Sequence, residues 1–190
     1  MAMGLLAHHL AARGMDARVH SAGTLGWGGP ATAHAVEVLA EREIDLTDHE
    51  SRRLSGDVVA TADLLLGMTR DHVGGVVAHE PTARDRAFVM GELPRLGRRV
   101  GPRRPGQSLR DWCAEVSALR PANRPPGLGA DEIDDPVGMG IDVYRATADR
   151  LDALCAEIAA LVAPDGVAPE VVDIDPVDSA ADADRSTATG

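Results

Sequence analysis

Lysine is missing from this chain, so all 19 of its basic side chains are Arg. Against 30 Asp and Glu they leave a formal net charge of -11, which excludes the basic face of an electrostatic nucleic-acid binder. Aromatic residues are nearly absent at 2%; a core must be built from Ala, Val and Leu, which 190 residues supply in sufficient amount for one domain. The two cysteines, Cys113 and Cys155, lack CxxC spacing, and that excludes a zinc ribbon or a disulfide framework. They read as buried, reduced thiols on helix faces. The seven His form no HExxH or other metal-binding pair, so no metal and no cofactor is assigned. No apolar run approaches the eighteen or so residues of a membrane span, and His8 and His9 interrupt the apolar start too early for a signal peptide. The expectation is a cytoplasmic protein with no membrane and no nucleic-acid partner.

Charge is unevenly spread. Asp165, Glu170, Asp173, Asp175, Asp178, Asp182 and Asp184 crowd the last stretch against a single Arg185. From about residue 163 Pro, Asp, Ala, Ser and Thr take over and no apolar period survives, so residues 163–190 are expected to form an acidic, disordered tail. Residues 1–162 are expected to form one domain.

Within that domain helices and strands alternate. Leu5, Leu6, Ala7, Leu10 and Ala11 make the apolar stripe of an opening helix, which Gly14 stops. Residues 16–24 read as a short strand entering a Gly-rich loop, and Thr32 caps a helix running to about residue 43. After a polar link at residues 47–54 and a short helix come Leu64-Leu65-Leu66-Gly67, the continuous apolarity of a strand covered on both faces of a parallel sheet. Thr69 begins another helix, residues 86–90 form a further strand, and residues 93–107 read as a Gly/Pro/Arg-rich loop. Two more helices, at about 109–119 and 141–162, flank the link that contains Asp134-Asp135-Pro136. Such alternation implies an α/β fold with a parallel sheet.

Several strings in this order resemble the low-molecular-weight protein-tyrosine phosphatase family. They are Gly4-Leu5-Leu6; Ser21-Ala22-Gly23-Thr24 with Trp27 after it; Ile44-Asp45-Leu46; and His49-Glu50-Ser51-Arg52-Arg53-Leu54. They continue with Ala62-Asp63-Leu64-Leu65-Leu66-Gly67-Met68-Thr69-Arg70, then Asp135-Pro136-Val137-Gly138 and Tyr144-Arg145. The resemblance implies a three-layer α/β sandwich around a small parallel sheet of strand order 2-1-3-4. It implies phosphomonoester hydrolysis by a cysteine nucleophile and an Asp general acid, acting on a phosphorylated protein or a small phosphomonoester.

The same resemblance implies a gap. Met1-Ala2 align with a Met-Ala pair that, in the family, follows an apolar strand and a C-x5-R-S loop. The first central strand, the nucleophile and the phosphate loop are therefore expected to be absent from this chain, because neither Cys113 nor Cys155 has an Arg six residues on. About five missing apolar residues at roughly 1.5 to 3 kcal/mol each predict a destabilised fold with two unpaired backbone ladders. By family role, Asp135 on its Pro136 loop is the general acid and base, with Asp134 the neighbour most easily confused with it. Trp27 is a candidate wall for a substrate ring, while Val137 stands where the family often has Tyr. His49 and His72 read as polar surface residues, and Arg95, Arg98, Arg99, Arg103, Arg104 and Arg110 as a solvated loop. The function expected is protein-tyrosine-phosphatase-type hydrolysis, inactive in this chain as it stands; the alternative is a non-catalytic relative acting as a binding or regulatory module.

Overall fold

In the computed structural model the described residues are 1–23, 29–50, 52–121, 124–164 and 172–178. In chain order the helices are α1 (Ala2–Ala12), α2 (Ala33–Ala40), α3 (Gly56–Thr61), α4 (Arg70–His79), α5 (Glu92–Val100), α6 (Leu109–Ser117) and α7 (Ile141–Val162). The strands are β1 (Ala17–Val19), β2 (Ala22–Gly23), β3 (Arg52–Arg53), β4 (Leu64–Gly67), β5 (Ala87–Val89) and β6 (Val172–Asp178). Caps set the helix starts: the Thr32, Ser55 and Thr69 side chains accept from the backbone N–H groups of Ala35, Val58 and His72, satisfying donors that a first turn leaves free.

Every ladder between named strands is parallel, in the order β3-β2-β6-β4-β5 with β1 also on β6. The strands sort their side chains to two faces. Leu64, Leu66 and Phe88 join α1, α2, α5, α6 and α7 in the larger core, whereas Leu65, Ala87 and Val89 join Val59, Val73 and Val76 of α3 and α4 in the smaller one. Alternation of Cβ direction along a strand makes this division. The result is the expected three-layer α/β sandwich.

Three expectations change. The central position between β1–β2 and β4 is not a gap: β6, from the C-terminal stretch, lies in it with Ile174 paired to Val19 on one side and Leu64 on the other. The reading of residues 163–190 as structureless is thus corrected for Val172–Asp178. The reason is that two facing ladders of backbone groups need partners, and Val172, Ile174 and Val177 are good strand formers despite the Asp between them. Ile174 is fully buried in the larger core. Secondly, Arg52–Arg53 in the polar link pair with β2 as an edge strand. Thirdly, much of the 93–107 loop is α5.

Candidate active site

Parallel strands place ligands at their carboxyl ends, and the cavity of interest lies there. It encloses about 160 Å³ and is lined by Met1 and Ala2 at the start of α1, Ala22 of β2, Met68 and Thr69 after β4, His72 of α4, and Asp134, Asp135 and Pro136. Met1 and Ala2 line the cavity, and among the described residues no side chain caps the first turn of α1, so the positive end of the helix dipole borders the cavity. That is the electrostatic setting an anion favours.

The loop bearing Asp135 is fastened on the side that leads into it. Asp131, 4% exposed, accepts from Arg95 Nε at 2.9 Å and from the Leu128 N–H at 2.7 Å, while its carbonyl accepts from the Gly91 N–H at 3.0 Å. Glu132 accepts from the Arg70 N–H at 2.9 Å and from Arg70 Nε at 3.0 Å. Those hydrogen bonds, the side-chain one foremost, hold the Glu132 carboxyl below its usual range. The Ile133 N–H donates to the Met68 carbonyl at 2.8 Å, tying the loop to the end of β4. Asp134 and Asp135 follow, both exposed, and the Val137 N–H donates to Asp135 Oδ1 at 3.0 Å in a tight turn over buried Pro136. A solvent-accessible carboxyl on an anchored loop at the mouth of a cavity is able to give and take protons.

The opposite wall comes from Thr32, Tyr144 and the Ser21–His49 pair. Thr32 Oγ1 donates to the Tyr144 hydroxyl at 3.2 Å, and Tyr144 is 3% exposed with His34 edge-on to its ring. Ser21 Oγ and His49 Nε2 lie 3.2 Å apart. His49 and His72 are therefore not plain surface residues, since both line the cavity and His72 is buried. The sequence reads both as polar surface residues because a lone His carries no periodic signal that would mark it as buried or as part of a site. Trp27, the candidate wall residue, lies outside the described residues.

Neither cysteine reaches this site. Cys113 is wholly buried in the core, where burial, with Asp63 adding to it, pushes its thiol far up. Cys155 is also fully buried on α7; burial first, then Asp152, pushes its thiol up to about 12. A thiol so raised holds almost no thiolate near neutrality, and the thiolate is the nucleophile. Among the described residues no group of three His, Cys, Asp or Glu is placed to hold a metal ion, and no helix is long and apolar enough to cross a membrane.

The Arg cluster is mostly occupied within the fold. Arg98 pairs with Glu157, Arg104 with Glu115 at 2.6 Å, and Arg110 with Asp63 at 2.6 Å. Arg103 is buried and donates to the Val162 carbonyl at 2.8 Å. Arg98 thus links α5 to α7, Arg104 and Arg110 tie α6 to the segments before it and before β4, and Arg103 is packed inside, while Arg98 and Arg104 keep most of their surface in solvent.

Residues 1–95 match the family described as low molecular weight phosphotyrosine protein phosphatase. A protein-arginine-phosphatase of Bacillus subtilis is 29% identical over 77% of this chain and 76% of its own length. A probable low molecular weight protein-tyrosine-phosphatase, EpsP of Ralstonia solanacearum, is 36% identical over 35% of this chain and 46% of its own. Among solved structures, a low molecular weight protein tyrosine phosphatase from T. tengcongensis superposes with a TM-score of 0.60, at 28% identity, covering 83% of this chain and 86% of that one.

Proposed function

Given that this chain belongs to the low molecular weight phosphotyrosine protein phosphatase family, we propose that it presents the general-acid half of a phosphatase site to a phosphorylated protein side chain, with Asp135 as the acid. The observation that carries this reading is the exposed Asp135 carboxyl on a fastened loop, facing a cavity bordered by the uncapped start of α1. In the reaction the phosphoryl group passes from its leaving atom to a nucleophile, and Asp135 gives its proton to that leaving atom. Asp135 then takes a proton from the water that attacks the phosphorylated intermediate. The α1 N–H groups are suited to binding phosphoryl oxygens meanwhile.

The 190 residues themselves supply no thiolate for the first step, because both cysteines are buried with raised thiols. The proposal is therefore that this chain, assayed alone, binds a phosphorylated group without turning it over. A cytoplasmic location is part of the same reading, supported by two unpaired thiols in a chain fit for a reducing compartment.

A second reading of the substrate has its own support. Asp134 and Asp135 are consecutive exposed residues that both line the cavity, and Val137 follows Pro136 where an aromatic side chain would wall a phenol. Paired carboxylates suit the planar donors of a guanidinium. Phosphoarginine fits that rim, in keeping with the similarity to a protein-arginine-phosphatase.

The test joins an apolar strand and a C-x5-R-S loop in front of Met1 and compares phenyl phosphate with p-nitrophenyl phosphate. Asp135→Asn in that fusion should cut kcat by about 10²-fold or more on the phenyl ester. The loss on the nitrophenyl ester should be smaller, since that leaving group needs less protonation. Equal, small losses on both, or a larger loss from Asp134→Asn, would refute the assignment of Asp135.

A further inference from the structure

Tyr144 is the only tyrosine in the chain, and its hydroxyl stands where the fold leaves one proton without an acceptor. The residue lies near the start of α7, 3% exposed, with the His34 ring edge-on to its own at 5.3 Å between centroids. That ring contact and the bond from Thr32 Oγ1, 3.2 Å long, set where the hydroxyl sits.

Two hydroxyls bring two protons to this contact. Thr32 Oγ1 accepts from the Ala35 N–H at 3.3 Å, capping α2, and spends its own proton on Tyr144. The Tyr144 proton finds no acceptor among the described residues. A buried tyrosine hydroxyl ordinarily has a partner, because a donor left unmatched on burial costs free energy. Thr32 and Tyr144 both line the cavity that Asp135 faces, so a group bound there is able to supply the acceptor that the fold does not.

The inference rests on the reading of this cavity as the site of a phosphorylated side chain. Of the groups such a ligand brings, a guanidinium has donors only, whereas a phosphoryl group carries three strong acceptor oxygens. About 160 Å³ takes a ligand about the size of benzene, and a phosphoryl group is no larger. We propose that Tyr144 is a phosphate-binding residue, its hydroxyl donating to a phosphoryl oxygen while Thr32 holds it in place. A neutral donor suits this cavity. An arginine at that position would favour the ionised form of Asp135, and an acid must carry a proton in order to give one.

The test follows inorganic phosphate binding to the full chain with its tyrosine labelled with carbon-13 at Cζ, so that one signal reports Tyr144. Phosphate should bind saturably, and the Cζ signal should shift along the same binding curve. Tyr144→Phe should weaken phosphate binding by about tenfold or more, the worth of a hydrogen bond to a charged group. The Cζ signal is read in the unaltered chain, so it stands whatever Tyr144→Phe does to stability. Absence of saturable phosphate binding by the unaltered chain would overturn this inference together with the reading it rests on. Saturable binding with an unmoved Cζ signal, or with equal affinity in Tyr144→Phe, would overturn the role of Tyr144 alone.

Discussion

Arg95 grips Asp131 with both prongs of its guanidinium, Nε to Oδ1 at 2.9 Å and Nη2 to Oδ2 at 2.7 Å. The pair joins α5 to the loop that carries Asp135, and Asp131 is nearly wholly buried in it. Arg95→Ala leaves a buried carboxyl with, among the described residues, the Leu128 N–H as its remaining donor, and should cost about 1 to 3 kcal/mol. Urea unfolding measures this, and an unchanged midpoint would show that the loop is held elsewhere.

A second ion pair lies deeper. Arg120 and Glu92 side chains are 5% and 2% exposed, with Nη2 to Oε2 at 2.8 Å. Arg120 also donates to the Ala87 carbonyl at 2.6 Å and stacks 4.2 Å above the Phe88 ring, and Glu92 accepts from the Gly127 N–H at 2.8 Å. Truncating one partner of a buried pair strands the other's charge, so Arg120→Ala should cost roughly 3 to 5 kcal/mol. Denaturant unfolding of this variant beside Arg104→Ala provides the check: the latter pair is exposed and should cost about 1 kcal/mol or less.

Gly91 tests how closely the Asp135 loop is seated. A Cβ there would meet the Asp131 Cα and carbonyl oxygen, each at 2.8 Å, and backbone has little freedom to yield. Gly91→Ala should therefore destabilise by about 1 to 3 kcal/mol through overpacking. A neutral result in thermal unfolding would mean that the loop stands off from α5 in solution.

Much of this architecture was legible in the sequence, and the exceptions have physical reasons. The helix starts at Thr32 and Thr69 and the apolar run of β4 announced themselves by local pattern. Helix α5 did not, because Pro94 and Gly97 read as loop residues. Pro94 sits in the first turn, where a missing N–H costs nothing. Gly97 is there because the Trp112 ring and Leu161 press on it, within 3.2 and 2.9 Å of where its Cβ would be. At the site, Asp135-Pro136 was visible as a string, whereas its support by Asp131, Glu132 and Ile133 comes from residues far apart in sequence. Strand β6 was hidden by its Asp content: the resemblance implied an unfilled central position, but nothing in so acidic a stretch marked it as the segment that fills it.

The resolved carboxyl shifts give a pH dependence of definite sign. Glu132 by Arg70, Glu41 by Arg145, Glu115 by Arg104, Glu80 by Thr82 and Asp45 by the Thr47 backbone N–H are all held below their ordinary values. A depressed folded-state pKa means that the unfolded chain takes up protons first as pH falls. This contribution is complete above the ordinary carboxyl range near pH 4 to 4.5 and is lost as pH falls through the lower folded values. Melting temperature should hold from pH 7 to about 5 and then fall. Arg70→Ala should shrink that fall slightly, the pair being exposed; a larger fall in the variant would contradict the assignment.

The most direct measurement is the initial rate of p-nitrophenyl phosphate hydrolysis by the full 190-residue chain, with Cys113→Ser and Cys155→Ser variants alongside. Asp135 faces the cavity while both thiols lie in the core with raised pKa values. The expected rate is that of buffer alone, unchanged in either variant. Turnover at rates typical of an enzyme, abolished by one of the two Cys→Ser changes, would contradict the account by showing that a cysteine placed in the core serves as the nucleophile.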